Sequence, residues 1–178
     1  KKIGTIVSSA TLKYKDFTIG IDDYDFNADE SKILIATNQE AIYRHSSKSY
    51  YFIYDIKSKS FTPLSDVKKS KQRLATFSPD GKQCAFVRDN NIFIKHLESG
   101  EEKQITFDGS INNVINGATD WVYEEELGLR DAFRFSPDSK WVGFWRFDQS
   151  VIRTFYMIDN LSLYPELPPV RYPKAGDQ

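Results

Sequence analysis

The sequence predicts an all-β fold, a partial β-propeller of about three four-stranded antiparallel blades with a short helical insertion. Three observations predict it: a turn motif that occurs three times, an apolar run after each copy, and a high aromatic content. The 178 residues include 13 Phe, 10 Tyr and 3 Trp, side chains that suit pleated, half-buried surfaces. This length is enough for a compact domain with a real core.

The first copy runs Asp25-Phe26-Asn27-Ala28-Asp29-Glu30-Ser31-Lys32 into Ile33-Leu34-Ile35-Ala36. The second is Thr76-Phe77-Ser78-Pro79-Asp80-Gly81-Lys82 into Cys84-Ala85-Phe86-Val87. The third is Arg134-Phe135-Ser136-Pro137-Asp138-Ser139-Lys140 into Trp141-Val142-Gly143-Phe144-Trp145. The Phe positions are 51 and 58 residues apart, at or above the usual blade period of roughly 40–50 residues. Each copy reads as strand, tight turn, strand: Pro presets a turn dihedral, Asp caps the turn, and Gly or Ser tolerates the corner. The apolar run suits a strand buried on both faces between neighbouring blades. Further hairpins follow at Asn90-Asn91, Ser99-Gly100-Glu101-Glu102 and Lys57-Ser58-Lys59-Ser60, giving four strands per unit. The expected blades are 1–65, 66–110 and 129–178, with the insertion at 117–128. A β-sandwich with coincidental turns is the competing architecture, and three matched copies weigh against it. A closed propeller has typically 4–8 blades, so the chain is expected to be a fragment of a longer protein, with edges and apolar faces exposed at both ends.

Charge excludes some partners. Lys plus Arg is 24 against 25 Asp plus Glu, a net charge of −1, which gives no general pull toward nucleic acid or anionic lipid. Cys84 is the only cysteine, so there is no intrachain disulfide and no cysteine zinc site. It reads as core filler. No stretch approaches the length of a membrane-spanning helix, and Lys1-Lys2-Ile3-Gly4 lacks the apolar core of a signal peptide. Asp22, Asp23 and Asp25 have no calcium-loop spacing and read as strand-end turn residues rather than metal ligands.

The segment 116–128, Asn-Gly-Ala-Thr-Asp-Trp-Val-Tyr-Glu-Glu-Glu-Leu-Gly, breaks the blade pattern. It reads as a short helix with Thr119 or Asp120 as N-cap, carboxylates that suit the dipole, Trp121 and Val122 as anchors, and Gly128 as terminator. Glu124, Glu125 and Glu126 admit two readings. One is a solvated acidic face. The other is a cation site, in which neighbouring carboxylates clamp an ammonium with charge-assisted hydrogen bonds. A peptide α-amine, with a pKa near 7.7–8.0, is largely protonated at neutral pH. Such a clamp selects chain termini.

The run from Asp120 to Glu126 resembles the glutamate motif of the dipeptidyl peptidase IV family, within the prolyl oligopeptidase superfamily of serine peptidases. Tyr43-Arg44-His45-Ser46, with Tyr54-Asp55-Ile56 after it, resembles the family's arginine-bearing loop. Asn116-Gly117-Ala118-Thr119 resembles the lead-in to the glutamate helix, and Arg171-Tyr172-Pro173-Lys174-Ala175-Gly176 the entry to the next blade. The match runs in order from about Asp23 to Gly176. The resemblance implies that Glu125 and Glu126 hold a substrate's N-terminal ammonium and that Arg44 contacts the carbonyl of its penultimate residue. Glu124, Asp120, Trp121 and Tyr123 would be supporting residues. It also implies a serine-type parent that releases Xaa-Pro or Xaa-Ala dipeptides, with a separate α/β-hydrolase domain and no cofactor. A periplasmic, cell-surface or secreted location follows from the resemblance alone. So does a homodimer formed partly through a propeller arm, of which the stretch from Asp159 to Pro169 is a candidate part.

No Gly-x-Ser-x-Gly elbow occurs in the sequence, so no catalytic residue is assigned, and the fragment alone is expected to be inactive. His45, beside Arg44, is a loop residue rather than a catalytic base; His96, on an alternating strand, reads as surface. Asn160-Leu161-Ser162 is a glycosylation sequon with meaning only in a secretory eukaryotic setting. The alternative functions are a tripeptidyl peptidase or endopeptidase of the same family, a non-catalytic scaffold of the same superfamily, and an unrelated propeller that binds proteins. The last predicts that Arg44 lies more than about 10 Å from the glutamates, beyond a Debye length at 0.1 M salt.

Overall fold

The structure is a computed structural model and describes residues 4–15 and 17–176. Lys1, Lys2 and Ile3, part of the N-terminal reading above, lie outside the described residues. In chain order the strands are β1 (Lys13–Tyr14), β2 (Phe17–Thr18), β3 (Asp23–Phe26), β4 (Lys32–Ala41), β5 (Ser47–Asp55), β6 (Phe61–Pro63), β7 (Arg73–Phe77), β8 (Gln83–Arg88), β9 (Asn91–His96), β10 (Glu102–Gln104) and β11 (Val114–Asn116). Helix α1 (Trp121–Leu127) follows, then β12 (Phe133–Phe135), β13 (Val142–Phe144), β14 (Arg146–Asp148), β15 (Thr154–Tyr156) and β16 (Pro169–Arg171).

Two four-stranded antiparallel meanders, β3-β4-β5-β6 and β7-β8-β9-β10, form where the first two repeats lie. The three repeat turns are built alike. In the second and third, Ser78 and Ser136 donate to Asp80 and Asp138 at 2.6 Å, and their hydroxyls accept the amides of Gln83 and Trp141 at 2.9 Å. In the first, Asn27 takes the place of Ser: its amide donates to Asp29 at 2.7 Å and its carbonyl accepts Lys32 N–H at 2.8 Å.

The apolar runs after the first two turns fill the core. Leu34 and Ile53 of the first sheet, with Leu64 just after β6, pack with Phe77, Cys84, Phe86 and Phe93 of the second. The Cys84 thiol is fully buried and burial pushes its pKa up, in line with a core role. Ala85, Val87 and Ile92 pack on the other side against Ile115, Ala118 and Phe133. β8 is therefore covered on both faces, which is why its central residues Cys84–Val87 form an unbroken apolar run.

Two expectations are corrected. The outer face of the first sheet is not bare. Leu12 and Ile19, from the segment before β3, are buried against Ile33, Ile35, Phe52 and Tyr54, because a sheet face this apolar gains by covering itself with the nearest chain. The third unit is also not a four-stranded sheet. It consists of two-stranded ladders: β12 with β13, β14 with β11, and β15 with β16. Trp145 is the crossover. Its N–H donates to Ala132 O at 2.8 Å and its O accepts Gly117 N–H at 3.0 Å, so the strand leaves β12 and continues along β11. The run Trp141–Trp145, expected to be buried, is largely exposed, with Trp141 at 74%. Only Val142, against the cluster around Ile92 and Phe133, and the Trp145 ring, against Tyr123 and Phe147, find packing partners, so the apolar sequel alone does not ensure burial.

Candidate functional site

Helix α1 begins at Asp120, whose Oδ1 accepts Tyr123 N–H at 2.9 Å. That bond satisfies a donor which otherwise has no intrahelical partner. Asp120 Oδ2 accepts from Gln149 Nε2 at 3.2 Å, which anchors the cap to the turn after β14. Thr119, the other candidate cap, instead donates its hydroxyl to Leu129 O at 2.7 Å and closes the loop around the helix. Gly128 ends the helix with φ 65°, its N–H donating to Glu124 O. The lead-in requires Gly117: its φ is 75°, and a Cβ there would lie 2.7 Å from Ile92 Cγ1. The aromatic residues of the helix dock it on the third unit, Trp121 with its ring 5.3 Å from Tyr172 and Tyr123 4.8 Å from Phe147.

Successive residues of an α-helix point about 100° apart, so three consecutive glutamates do not share one environment. Glu124 points inward and is 1% exposed; its Oε1 accepts His45 N–H at 2.8 Å. Glu125 has a side chain only 12% exposed, and its Oε2 lies 3.5 Å from Arg44 Nε. Glu126 is exposed and makes no side-chain hydrogen bond or ion pair among the described residues. The structure therefore brings Arg44 to Glu125, within the 10 Å that separates the rival readings, and leaves Glu126 open beside them.

Arg44 reaches this place because the β4–β5 hairpin is long. Its strands have 10 and 9 residues against 6 and 6 in the matching β8–β9 hairpin. A register shift between Thr37 and Glu40, with Asn38 at φ 54°, bends the extension, as a β-bulge does. At the tip, Ile42 and Tyr43 N–H both donate to Ser46 O, which holds Arg44 outward. The Arg44 side chain is 74% exposed, so most of its donor fork stays open to a guest.

His45 takes part through its backbone. Besides its N–H bond to Glu124, its O accepts from Arg130 Nη1 at 3.1 Å. Arg130 and this backbone role of His45 escaped the sequence reading, because no motif marks a long-range contact to a main-chain group. A cavity of about 350 Å³ opens alongside, lined among others by Asp23, Asp25, His45, Ser46, Arg130 and Asp131. Asp23 and Asp25 each accept the following amide, from Tyr24 and Phe26, and Asp22 accepts Gln39 N–H at 2.9 Å. Below the loop, burial pushes the Tyr43 phenol up, with Arg73 opposing the shift and Asp120 and Glu124 adding to it.

The model of the dipeptidyl peptidase IV (DPP IV) N-terminal region matches residues 27–178. A crystal structure of Porphyromonas gingivalis dipeptidyl peptidase 4 is 42% identical and superposes with a TM-score of 0.90, over 99% of this chain and 25% of that one. The dipeptidyl peptidase 4 of Trichophyton rubrum is 39% identical over 164 residues, 88% of this chain and 21% of the relative. An Aspergillus fumigatus protein named "Probable dipeptidyl peptidase 4" is 40% identical over 153 residues, 82% of this chain and 20% of the relative. The chain thus spans about a fifth to a quarter of the length of these relatives. With its two meanders, its glutamate helix and this match over most of its length, the chain belongs to the dipeptidyl peptidase IV N-terminal region family.

Proposed function

We propose that this chain is the substrate-recognition part of a serine-type dipeptidyl peptidase, and that it binds the free N-terminus of a peptide. The observation that carries the reading is the approach of Arg44 Nε to Glu125 Oε2 at 3.5 Å beside an open Glu126. Glu125 and Glu126 receive the ammonium through charge-assisted hydrogen bonds. Arg44 orients Glu125 and offers its remaining N–H donors to the peptide carbonyl. An empty pair of neighbouring carboxylates favours a cationic guest, because like charges repel until one arrives. The site then acts as a ruler: a fixed amine places the bond after the second residue at a nucleophile carried by an α/β-hydrolase domain of the parent, and part of the binding energy goes into positioning. Peptides with a blocked amine lose both bonds and are excluded.

The test uses the full-length parent and Xaa-Pro substrates. Glu125→Ala and Glu126→Ala are each expected to lower kcat/KM on the order of 10–100-fold, the size of a hydrogen bond to a charged group, with an unchanged circular dichroism spectrum. Unchanged kinetics in both variants overturns the reading.

A further inference from the structure

The tip of the arginine loop, residues 42–46, closes on itself through Ile42 and Tyr43 N–H, which both donate to Ser46 O. His45 bonds outside the loop instead. Its N–H donates to Glu124 Oε1 at 2.8 Å, and its O accepts from Arg130 Nη1 at 3.1 Å. Among the described residues these are the only hydrogen bonds that join the tip to the rest of the chain. Apolar packing does not replace them. Ile42 and Tyr43 belong to none of the core clusters, and a cavity of about 260 Å³, lined by His45, Glu124, Gly128 and Arg130, lies where loop and helix meet. Nor does the pair of Arg44 with Glu125 fasten the tip by itself. A separation of 3.5 Å and an arginine side chain 74% exposed put it near the surface ion pairs, which stabilise little. A hydrogen bond to a charged group contributes more, and Glu124 is buried. The helix itself does not call for an acid at this position, since Asp120 caps it and Gly128 ends it. The second carboxylate oxygen, Glu124 Oε2, has no hydrogen-bond partner among the described residues, and a buried charge so placed costs stability. The bond to His45 is what the carboxylate supplies.

We propose that Glu124 and Arg130 are positioning residues for the amine site: they grip the His45 main chain at its N–H and at its O, and so hold Arg44 within reach of Glu125. The inference rests on the proposed amine-binding function. His45 directly follows Arg44, and Glu124 directly precedes Glu125. A bond between His45 and Glu124 therefore sets the distance between their neighbours. Arg130, two residues beyond the Gly128 terminator, holds the same residue at its other polar atom. Two bonds fix the orientation of the tip, where one would let it swivel. Neither side chain contacts the peptide; both act through Arg44.

The experiment is steady-state kinetics of the full-length parent on an Xaa-Pro substrate with a free amine, with thermal unfolding recorded for every variant. Glu124→Leu, which removes the acceptor, is expected to raise KM about 10-fold, the size of one hydrogen bond to a charged group, while kcat changes less than about 3-fold. Glu124→Gln, which keeps an acceptor in the same place, is expected to recover most of that loss. Arg130→Ala is expected to raise KM about 3-fold, as its bond is more exposed. On an Arg44→Ala background, Glu124→Leu and Arg130→Ala are each expected to add less than about a 2-fold effect, because residues that act through one route are not additive. A merely structural role would give the same effect on both backgrounds. A KM equal to the parent's in Glu124→Leu, equal impairment in Glu124→Gln and Glu124→Leu, or a full-sized effect on the Arg44→Ala background overturns the proposal. If Glu124→Leu does not fold, Arg130→Ala, at an exposed position, carries the test: an unchanged KM, or the same rise on the Arg44→Ala background, overturns it. Glu125→Ala separates the two failures. If it leaves kinetics unchanged, the amine-site reading fails; if it impairs cleavage while Glu124→Leu and Arg130→Ala do not, only the positioning role fails.

Discussion

Glu30, Gly81 and Ser139 occupy the same place in the three repeat turns, four residues after the motif Phe, and all are left-handed, with φ of 56°, 67° and 61°. Only glycine adopts this region without steric cost. Gly81 is thus the fitted residue and Glu30 the strained one. Ser139 has a compensating role, since its hydroxyl accepts Asp80 N–H at 3.0 Å and ties the third turn to the second. Glu30→Gly is expected to stabilise the chain by about 0.5–1 kcal/mol, the relief of a left-handed side chain less the added entropy of the unfolded glycine; a shift in the denaturation midpoint checks it. The turn chemistry was legible in the sequence because it is local: Ser, Asp and Gly find their partners within five residues. The bond from Asp80 N–H to Ser139 was not, because it spans 59 residues.

At the scale of elements, the glutamate helix has only seven residues, too few to persist alone in water. Its caps and its aromatic docking hold it. Asp120→Ala removes the bond to Tyr123 N–H and the one to Gln149. A lost N-cap costs about 1 kcal/mol. The expected outcome is faster amide exchange in α1 and a raised KM for amine substrates in the parent, while β7–β10 keep their protection. The helix was legible in its cap, its length and its Gly terminator. The separation of its glutamates into a buried, a half-buried and an exposed residue was not, because it depends on what packs against each face. The long β4–β5 hairpin was likewise invisible: the sequence marks Tyr43-Arg44-His45-Ser46 as a loop, but the bulge near Asn38 that aims it has no motif.

For the molecule as a whole, the two meanders are joined by more than apolar packing. Ser65, after β6, donates to Glu102 Oε2 at 2.6 Å and accepts from Arg88 Nη1. Arg88 Nη2 and Lys69 Nζ both bond Glu102 Oε1, at 2.9 and 3.0 Å. Burial alone would raise the Glu102 carboxyl; the bonds from Ser65, Arg88 and Lys69 overcome it and bring its pKa down to about 2 from an ordinary 4.5. A carboxyl with a depressed folded value stabilises fully above its unfolded value, and this contribution fades as pH falls through the folded one. Glu102→Gln is therefore expected to be less stable than the parent at neutral pH, with the difference shrinking between pH 4.5 and 2 and gone below that, as read from amide exchange of β9 and β10. The sequence by itself determined the repeat, the turns, the apolar strands and the capped glutamate helix, because each is encoded by neighbours along the chain. Only the tertiary structure decided that β14 pairs with β11, that the first sheet is covered by Leu12 and Ile19, and that Arg44, His45, Glu124, Glu125 and Arg130 come together. Those contacts join segments far apart in the chain, from Leu12 to Asp148, and their partners are chosen by packing and charge between sheets rather than by local propensity.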